Sequence, residues 1–121
     1  MAEYDLRIRT FTFACEIVRL CRSLSAKPGP ERHLAHQLIR SGTSVGANLE
    51  EARAAHTRKE FACKLALVLR EARETHYWLK LVSATCDAQH YGLQPLISEA
   101  NELVSILTVS VRKTKQPPRA E

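Results

Sequence analysis

Two sets of side chains have the residue types that metalloproteins and nucleophilic enzymes use, but they lack the required spacing. Two-metal helical bundles place a histidine three residues after a glutamate, whereas here His33 and His36 form a pair without that glutamate. His76 and Cys86 are ten residues apart, which is about 15 Å along a straight helix and too far for a nucleophile and its base. The sequence therefore predicts no catalytic residue, no metal site and no cofactor.

A run of small residues within positions 39–52 contains Gly42, Ser44 and Gly46, where the flanking apolar rhythm indicates a helix. Each glycine costs a helix about 1 kcal/mol relative to alanine, so the pair needs a packing or functional reason. Small residues allow another helix to approach closely, and the hydroxyls can donate to carbonyls one turn earlier. A phosphate-binding loop is the alternative, but Gly-x-x-x-x-Gly-Lys-Ser/Thr and a preceding strand are absent.

Asn48 lies on the flank of the apolar stripe of this helix, so its amide needs a hydrogen-bond partner. We predict a buried network that fixes the register against the next helix, with Glu51 nearby. The expected partners on that next helix are Glu71, Glu74, Thr75 and Tyr77. The alternative is an active site, which would require a pocket of convergent polar groups around Asn48, Glu51 and Glu74 with strongly shifted pKa values.

Tyr77 and Trp78 form the sole adjacent aromatic pair in the sequence. An indole at such a position usually anchors a helix interface and donates its N–H to a polar partner. Stacking of Trp78 on a nucleobase, worth about 1–3 kcal/mol, is the alternative.

The formal net charge is +5, and most of the basic excess lies at the C-terminal end of the sequence. Residues 112–121 contain four basic residues and one acid, so the remainder carries a net charge of +2. Basic residues elsewhere alternate with acids, which is typical of a solvated helix face. Repetition of a modest basic surface in an oligomer would nevertheless favour phosphate binding. The predicted nucleic-acid-binding residues are Arg58, Lys59, Arg112, Lys113, Lys115 and Arg119.

Apolar periodicity predicts an all-α fold with four helices in an antiparallel up-down-up-down bundle. Asp5 is the expected N-cap of the first helix, Thr57 and Glu60 form a capping box, and Pro95 suits the first turn of the last helix. The predicted bundle spans residues 1–113, followed by a disordered basic tail over 114–121. The first three helices are expected over residues 5–24, 31–55 and 58–87.

Surplus apolar residues on the last helix suggest self-association or, alternatively, an unusually broad core face. These residues are Ile97, Val104, Ile106 and Val109. The four cysteines lack metal-site spacing and fit packed, reduced thiols in a cytoplasmic protein. No segment has the length of apolar sequence needed to span a membrane.

Four blocks of the sequence carry a resemblance to a known family: Arg40–Asn48, Glu51-Ala52, Lys59–Phe61 and Glu74–Leu79. They closely resemble the bacterial four helix bundle protein family, also called the 23S rRNA intervening-sequence protein family. The resemblance covers about residues 4–113 and implies an antiparallel bundle, a ring-like homopentamer and no enzymatic activity. Related accessory proteins of diversity-generating retroelements bind a reverse transcriptase and nucleic acid. The usual family motif Ser-Ile-Pro-x-Asn-Ile-Ala-Glu-Gly is replaced here by a glycine-containing variant over residues 44–52.

We therefore expect a non-catalytic, cytoplasmic homopentamer that associates with RNA or DNA through its basic surface and tail. The alternative is a protein–protein interaction module with little nucleic-acid affinity of its own, such as an accessory subunit for a reverse transcriptase.

Overall fold

The chain folds into helices joined by short connections, and no strand occurs in the part of the chain that the structure describes. The computed structural model describes residues 3–86 and 92–117. The helices within these ranges are α1 (Glu3–Leu24), α2 (Pro30–Arg53), α3 (Arg58–Thr85) and α4 (Gln94–Thr114). The predicted all-α class is confirmed. None of these helices is long and apolar enough to cross a membrane.

Several helix ends follow the predicted start and stop signals. Gly29, with φ of 142°, adopts a conformation that favours glycine directly before Pro30 begins α2. The amide of Glu60 donates to Thr57 Oγ1 at 3.0 Å, and Glu60 Oε2 accepts from the amide of His56 at 3.2 Å. Pro95 lies in the first turn of α4.

Other predicted boundaries are wrong by a few residues. Helix α1 already includes Glu3, so Asp5 lies within its first turn and is not the N-cap. Helix α2 ends at Arg53 because the amide of Ala54 is shared among the last carbonyls, which tightens the final turn. Helix α4 continues through Thr114, the first residue of the predicted tail. Residues 118–121 of that tail lie outside the described ranges.

The core lies between the helices, with α2 packed against α1 and α3, and α4 packed against α3. Side chains with no exposed surface include Ile17, Leu38, Val68, Leu79 and Leu103. Helices α1 and α4 make few contacts with each other, and a groove of about 600 Å³ lies between them. Arg9 crosses this groove and donates to both carboxylate oxygens of Glu99, at 3.0 and 2.6 Å.

The small residues of α2 bring α1 close to it. A Cβ added to Gly42 would lie only 2.9 Å from Cγ1 and Cγ2 of Ile17, and one on Gly46 would lie 3.5 Å from the backbone carbonyl oxygen of Thr10. The predicted back-bonding of hydroxyls is confirmed, since Ser44 Oγ donates to the carbonyl of Arg40 at 2.6 Å. The run is therefore part of a helix–helix contact.

The sequence predicts exposed apolar residues on the last helix, but most of these residues pack against the core. Ile97, Val104 and Ile106 are partly buried against the core, which leaves Val109 as the half-exposed member of the predicted set. The largest exposed apolar side chain in the described ranges is instead Phe11 on α1, which is 71% exposed. A broad core face on α4 thus accounts for most of the surplus, and the most exposed apolar side chain belongs to α1.

Candidate nucleic-acid interface

The beginning of α3 and the end of α4 lie side by side. Arg58, the first residue of α3, donates from Nη2 to the backbone carbonyl of Gln116 at 2.6 Å. A shallow cavity of about 410 Å³ between the two helices is lined by residues that include Arg58, Phe61 and Lys113. The structure therefore brings together two of the predicted basic residues that are 55 positions apart in sequence.

The other cations of this region project into solvent. Lys59, Arg112 and Lys115 are exposed, while Arg119 lies outside the described residues. Arg112 and Lys113 occupy the last turn of α4, where the helix dipole favours positive charge. We call the set Arg58, Lys59, Arg112, Lys113 and Lys115 the basic end. Its exposed ammonium and guanidinium groups are accessible to phosphate oxygens.

A polar network joins α2 to α3 and includes the predicted Glu74, but its member on α2 is Arg40 and not the predicted Asn48. Arg40 on α2 donates from Nη2 to Glu74 Oε2 on α3, and it also donates to Oε1 of its neighbour Gln37. Trp78 Nε1 donates to the same Glu74 oxygen at 3.0 Å. Glu74 therefore orients the indole of Trp78 and also links α3 to α2. The sequence motif contains Arg40, but its pairing with Glu74 depends on how the two helices pack.

Asn48 is not part of this network. Among the described residues, no hydrogen bond connects it to Glu71, Glu74, Thr75 or Tyr77. The packing register explains the error: Arg40 lies opposite Glu74, and Asn48 is eight residues further along α2, about 12 Å away. Thr75 Oγ1 instead donates to the carbonyl of Glu71 within α3, at 2.7 Å. The side chain of Glu51 is exposed.

Glu71 is the buried acid of the described chain, with a side chain that is 10% exposed. Its Oε2 lies 3.7 Å from Arg40 Nη1 and accepts no hydrogen bond from the described residues. Arg40 is thus the nearest cation to the buried Glu71, where Arg70 lies slightly further away at 3.9 Å, and it also pairs with the partly exposed Glu74.

Tyr77 and Trp78 pack edge to face, with ring centroids 5.2 Å apart and planes inclined by 72°. Trp78 is half-buried against the core, and Tyr77 is 55% exposed. The indole therefore occupies the predicted interface position, and the phenol ring is the aromatic surface that faces solvent.

The groups that enzymes use do not converge in the described ranges. No cluster of three or more histidine, cysteine, aspartate or glutamate side chains there could hold a metal ion. All four cysteines are free, and burial raises the pKa of the Cys21 thiol to about 11, which keeps it protonated. Burial, with a smaller contribution from Lys80, lowers the pKa of His76 below its usual 6.5. Cys63 is exposed, although the sequence predicts a packed thiol there.

Comparisons with known proteins agree with this architecture. The family model described as 23S rRNA-intervening sequence protein matches residues 3–109. A similar solved structure is the crystal structure of a protein with unknown function from the S23 ribosomal protein family of Bacteroides thetaiotaomicron, with a TM-score of 0.81. The two chains are 31% identical, and the match covers 93% of this chain and 99% of that one. Among curated proteins, none matches this chain.

Proposed function

Because this chain belongs to the 23S rRNA-intervening sequence protein family, we propose that it is a non-catalytic scaffold that binds RNA through the basic end. The observation that carries the proposal is the contact of Arg58 with the carbonyl of Gln116, which brings the cations of α3 and α4 together. Cations on two helices can contact successive phosphates without reading a sequence. Binding of this kind releases counterions and therefore weakens steeply with salt.

We also propose that the helices form an antiparallel up-down-up-down bundle that assembles into a ring-like homopentamer. Contacts of Arg7 with Glu50, and of Cys21 with Ala35, support opposite directions for α1 and α2. The exposed Phe11 supports self-association, because apolar surface of this kind marks interaction sites. Five copies would carry a net charge of about +25, which strengthens the attraction for RNA.

A cytoplasmic location is part of the same proposal. The four cysteines are free thiols, and one of them, Cys63, is exposed. Exposed thiols persist in a reducing compartment, whereas secreted proteins generally hold their cysteines in disulfides.

The test compares two variants of equal charge by fluorescence anisotropy with a labelled RNA hairpin, at about 50 mM and about 200 mM salt. One variant replaces the three cations at the end of α4: Arg112→Gln, Lys113→Gln and Lys115→Gln. The control replaces three cations on the α1 end, the α1–α2 connection and the start of α2: Arg22→Gln, Lys27→Gln and Arg32→Gln. We expect the first variant to reduce the salt slope by about 0.9 for each cation that contacts a duplex phosphate. Equal losses in both variants, or no binding by the wild type, would contradict the role of the basic end.

The second candidate function is a protein–protein interaction module, such as an accessory subunit for a reverse transcriptase. Two apolar side chains on α1 favour this second function: Phe11 is 71% exposed and Ile8 is 49% exposed. Neighbouring apolar side chains that face solvent mark interaction sites for other proteins. The oligomeric mass shows what covers this surface, since a monomeric wild type would leave it for a different protein. RNA affinity separates the two functions, because the second candidate binds the hairpin only weakly.

A further inference from the structure

The outward face of α3 combines three cations with one exposed aromatic ring. Arg70, Arg73, Tyr77 and Lys80 are spaced by three and four residues, so they share one face of the helix. Arg70, Arg73 and Lys80 are all exposed, and Tyr77 is 55% exposed between them. The row extends over about 15 Å by helical rise.

Acidic residues in the described part of the chain neutralise this row only in part. The acids between Arg70 and Lys80 are Glu71 and Glu74. Arg70 Nη2 forms a long ion pair with Oε1 of the buried Glu71, at 3.9 Å, and Glu74 is bound by Arg40 and Trp78. Within the described residues, neither Arg73 nor Lys80 is paired with an acid. The outward face of α3 is therefore cationic and complementary to a chain of phosphates.

The ring of Tyr77 is held in place from behind. Trp78 packs its ring edge to face with Tyr77 at 5.2 Å, and its Nε1 donates to Glu74, which is itself bound by Arg40. A ring that is ordered before binding loses less conformational entropy when a ligand stacks on it. The polar network between α2 and α3 thus supports an aromatic surface at the centre of a basic row.

We propose that this face of α3 binds single-stranded RNA, with an unpaired base stacked on Tyr77 and phosphates contacted by Arg70, Arg73 and Lys80. The inference rests on the proposed association with RNA and specifies its class: an unpaired base can stack on a side chain, whereas a base within a duplex is already stacked. Protein interfaces also favour arginine and tyrosine, but their buried centres are apolar, and Tyr77 is the one large apolar side chain exposed on α3 within the described residues, so a protein partner fits this surface less well.

The single tryptophan of the chain makes the site directly observable. The probes are a twelve-nucleotide oligoadenylate RNA and an abasic strand of the same length, which retains phosphates but has no bases. A base that stacks on Tyr77 lies close to Trp78, so we expect oligoadenylate to quench the tryptophan fluorescence. The abasic strand should bind more weakly and leave the fluorescence unchanged. Binding at the basic end would not alter the emission of Trp78.

Variants assign the contributions of ring and charge. Tyr77→Ala should weaken oligoadenylate binding about fivefold or more and leave the affinity for the abasic strand unchanged, because each base–aromatic stack stabilises by ~1–3 kcal/mol. Tyr77→Phe keeps the aromatic face and should bind as the wild type does. The pair Arg73→Gln and Lys80→Gln should weaken both strands and reduce the salt slope by about 0.7 for each lost phosphate contact. Circular dichroism of each variant checks that the helices are intact.

The outcomes separate this inference from the proposed function. Binding of oligoadenylate without quenching of Trp78, or with full affinity in a folded Tyr77→Ala variant, overturns the α3 site and leaves the basic end in place. Loss of quenching with retained hairpin binding in Tyr77→Ala supports two distinct RNA contacts. Absence of binding to both the hairpin and the single strand overturns both proposals.

Discussion

At the scale of single residues, the two glycines of α2 occupy different environments. A Cβ on Gly42 would collide with two atoms of the fully buried Ile17 at 2.9 Å, whereas one on Gly46 would meet Thr10 Oγ1 at 3.4 Å. We expect Gly42→Ala to destabilise the fold by about 1–3 kcal/mol, since overpacking forces Ile17 or the helix backbone to move. Gly46→Ala should be neutral or stabilise by up to about 1 kcal/mol, because alanine favours the helix.

Urea unfolding followed by circular dichroism at one fixed protein concentration measures both effects, and the fixed concentration removes any contribution from assembly. Equal free energies of unfolding for the two alanine variants would show that the close approach of α1 at Gly42 is absent in solution. The sequence identifies both glycines as contact residues but cannot rank them, because the neighbouring side chain belongs to another helix.

At the scale of elements, the sequence predicts helices well and their mutual register poorly. The signals that begin and end helices, such as Pro30, Thr57 and Pro95, are local and act within one turn. The pairing of α2 with α3 depends on packing along both helices, and neither helix alone specifies it. For this reason the sequence favours Asn48 as the polar link to α3, whereas the structure uses Arg40.

A matched pair of substitutions on α2 tests whether Arg40, and not Asn48, provides the polar link to α3. Arg40→Ala should lower the free energy of unfolding by about 1–2 kcal/mol, because it leaves the buried carboxylate of Glu71 without its nearest cation. Solvent screening at the 45% exposed arginine keeps the cost below that of a fully buried pair. Asn48→Ala should change stability by less than about 0.5 kcal/mol. Urea unfolding measures the free energy of unfolding of both variants. A larger loss in Asn48→Ala than in Arg40→Ala would support the network around Asn48 that the sequence predicts.

At the scale of the whole molecule, the most exposed apolar side chain and the basic row lie on different helices. Phe11 and Ile8 are exposed on α1, while Tyr77 and its flanking cations are exposed on α3. An assembly that buries α1 would therefore leave the basic row of α3 open to RNA. The sequence predicts self-association from apolar residues of α4, most of which pack inward. Which helix carries the most exposed apolar side chain becomes clear only once the core is known.

The assembly can be tested by placing the same charge on these two faces. Phe11→Asp should dissociate the oligomer, because a carboxylate in a contact between copies would be buried without a partner. Tyr77→Asp places the same group on α3 and should leave the oligomer intact. Native mass spectrometry distinguishes a protomer of 13.6 kDa from a pentamer of about 68 kDa. An assembly retained by Phe11→Asp, or lost equally in both variants, would exclude the α1 surface as the contact between copies.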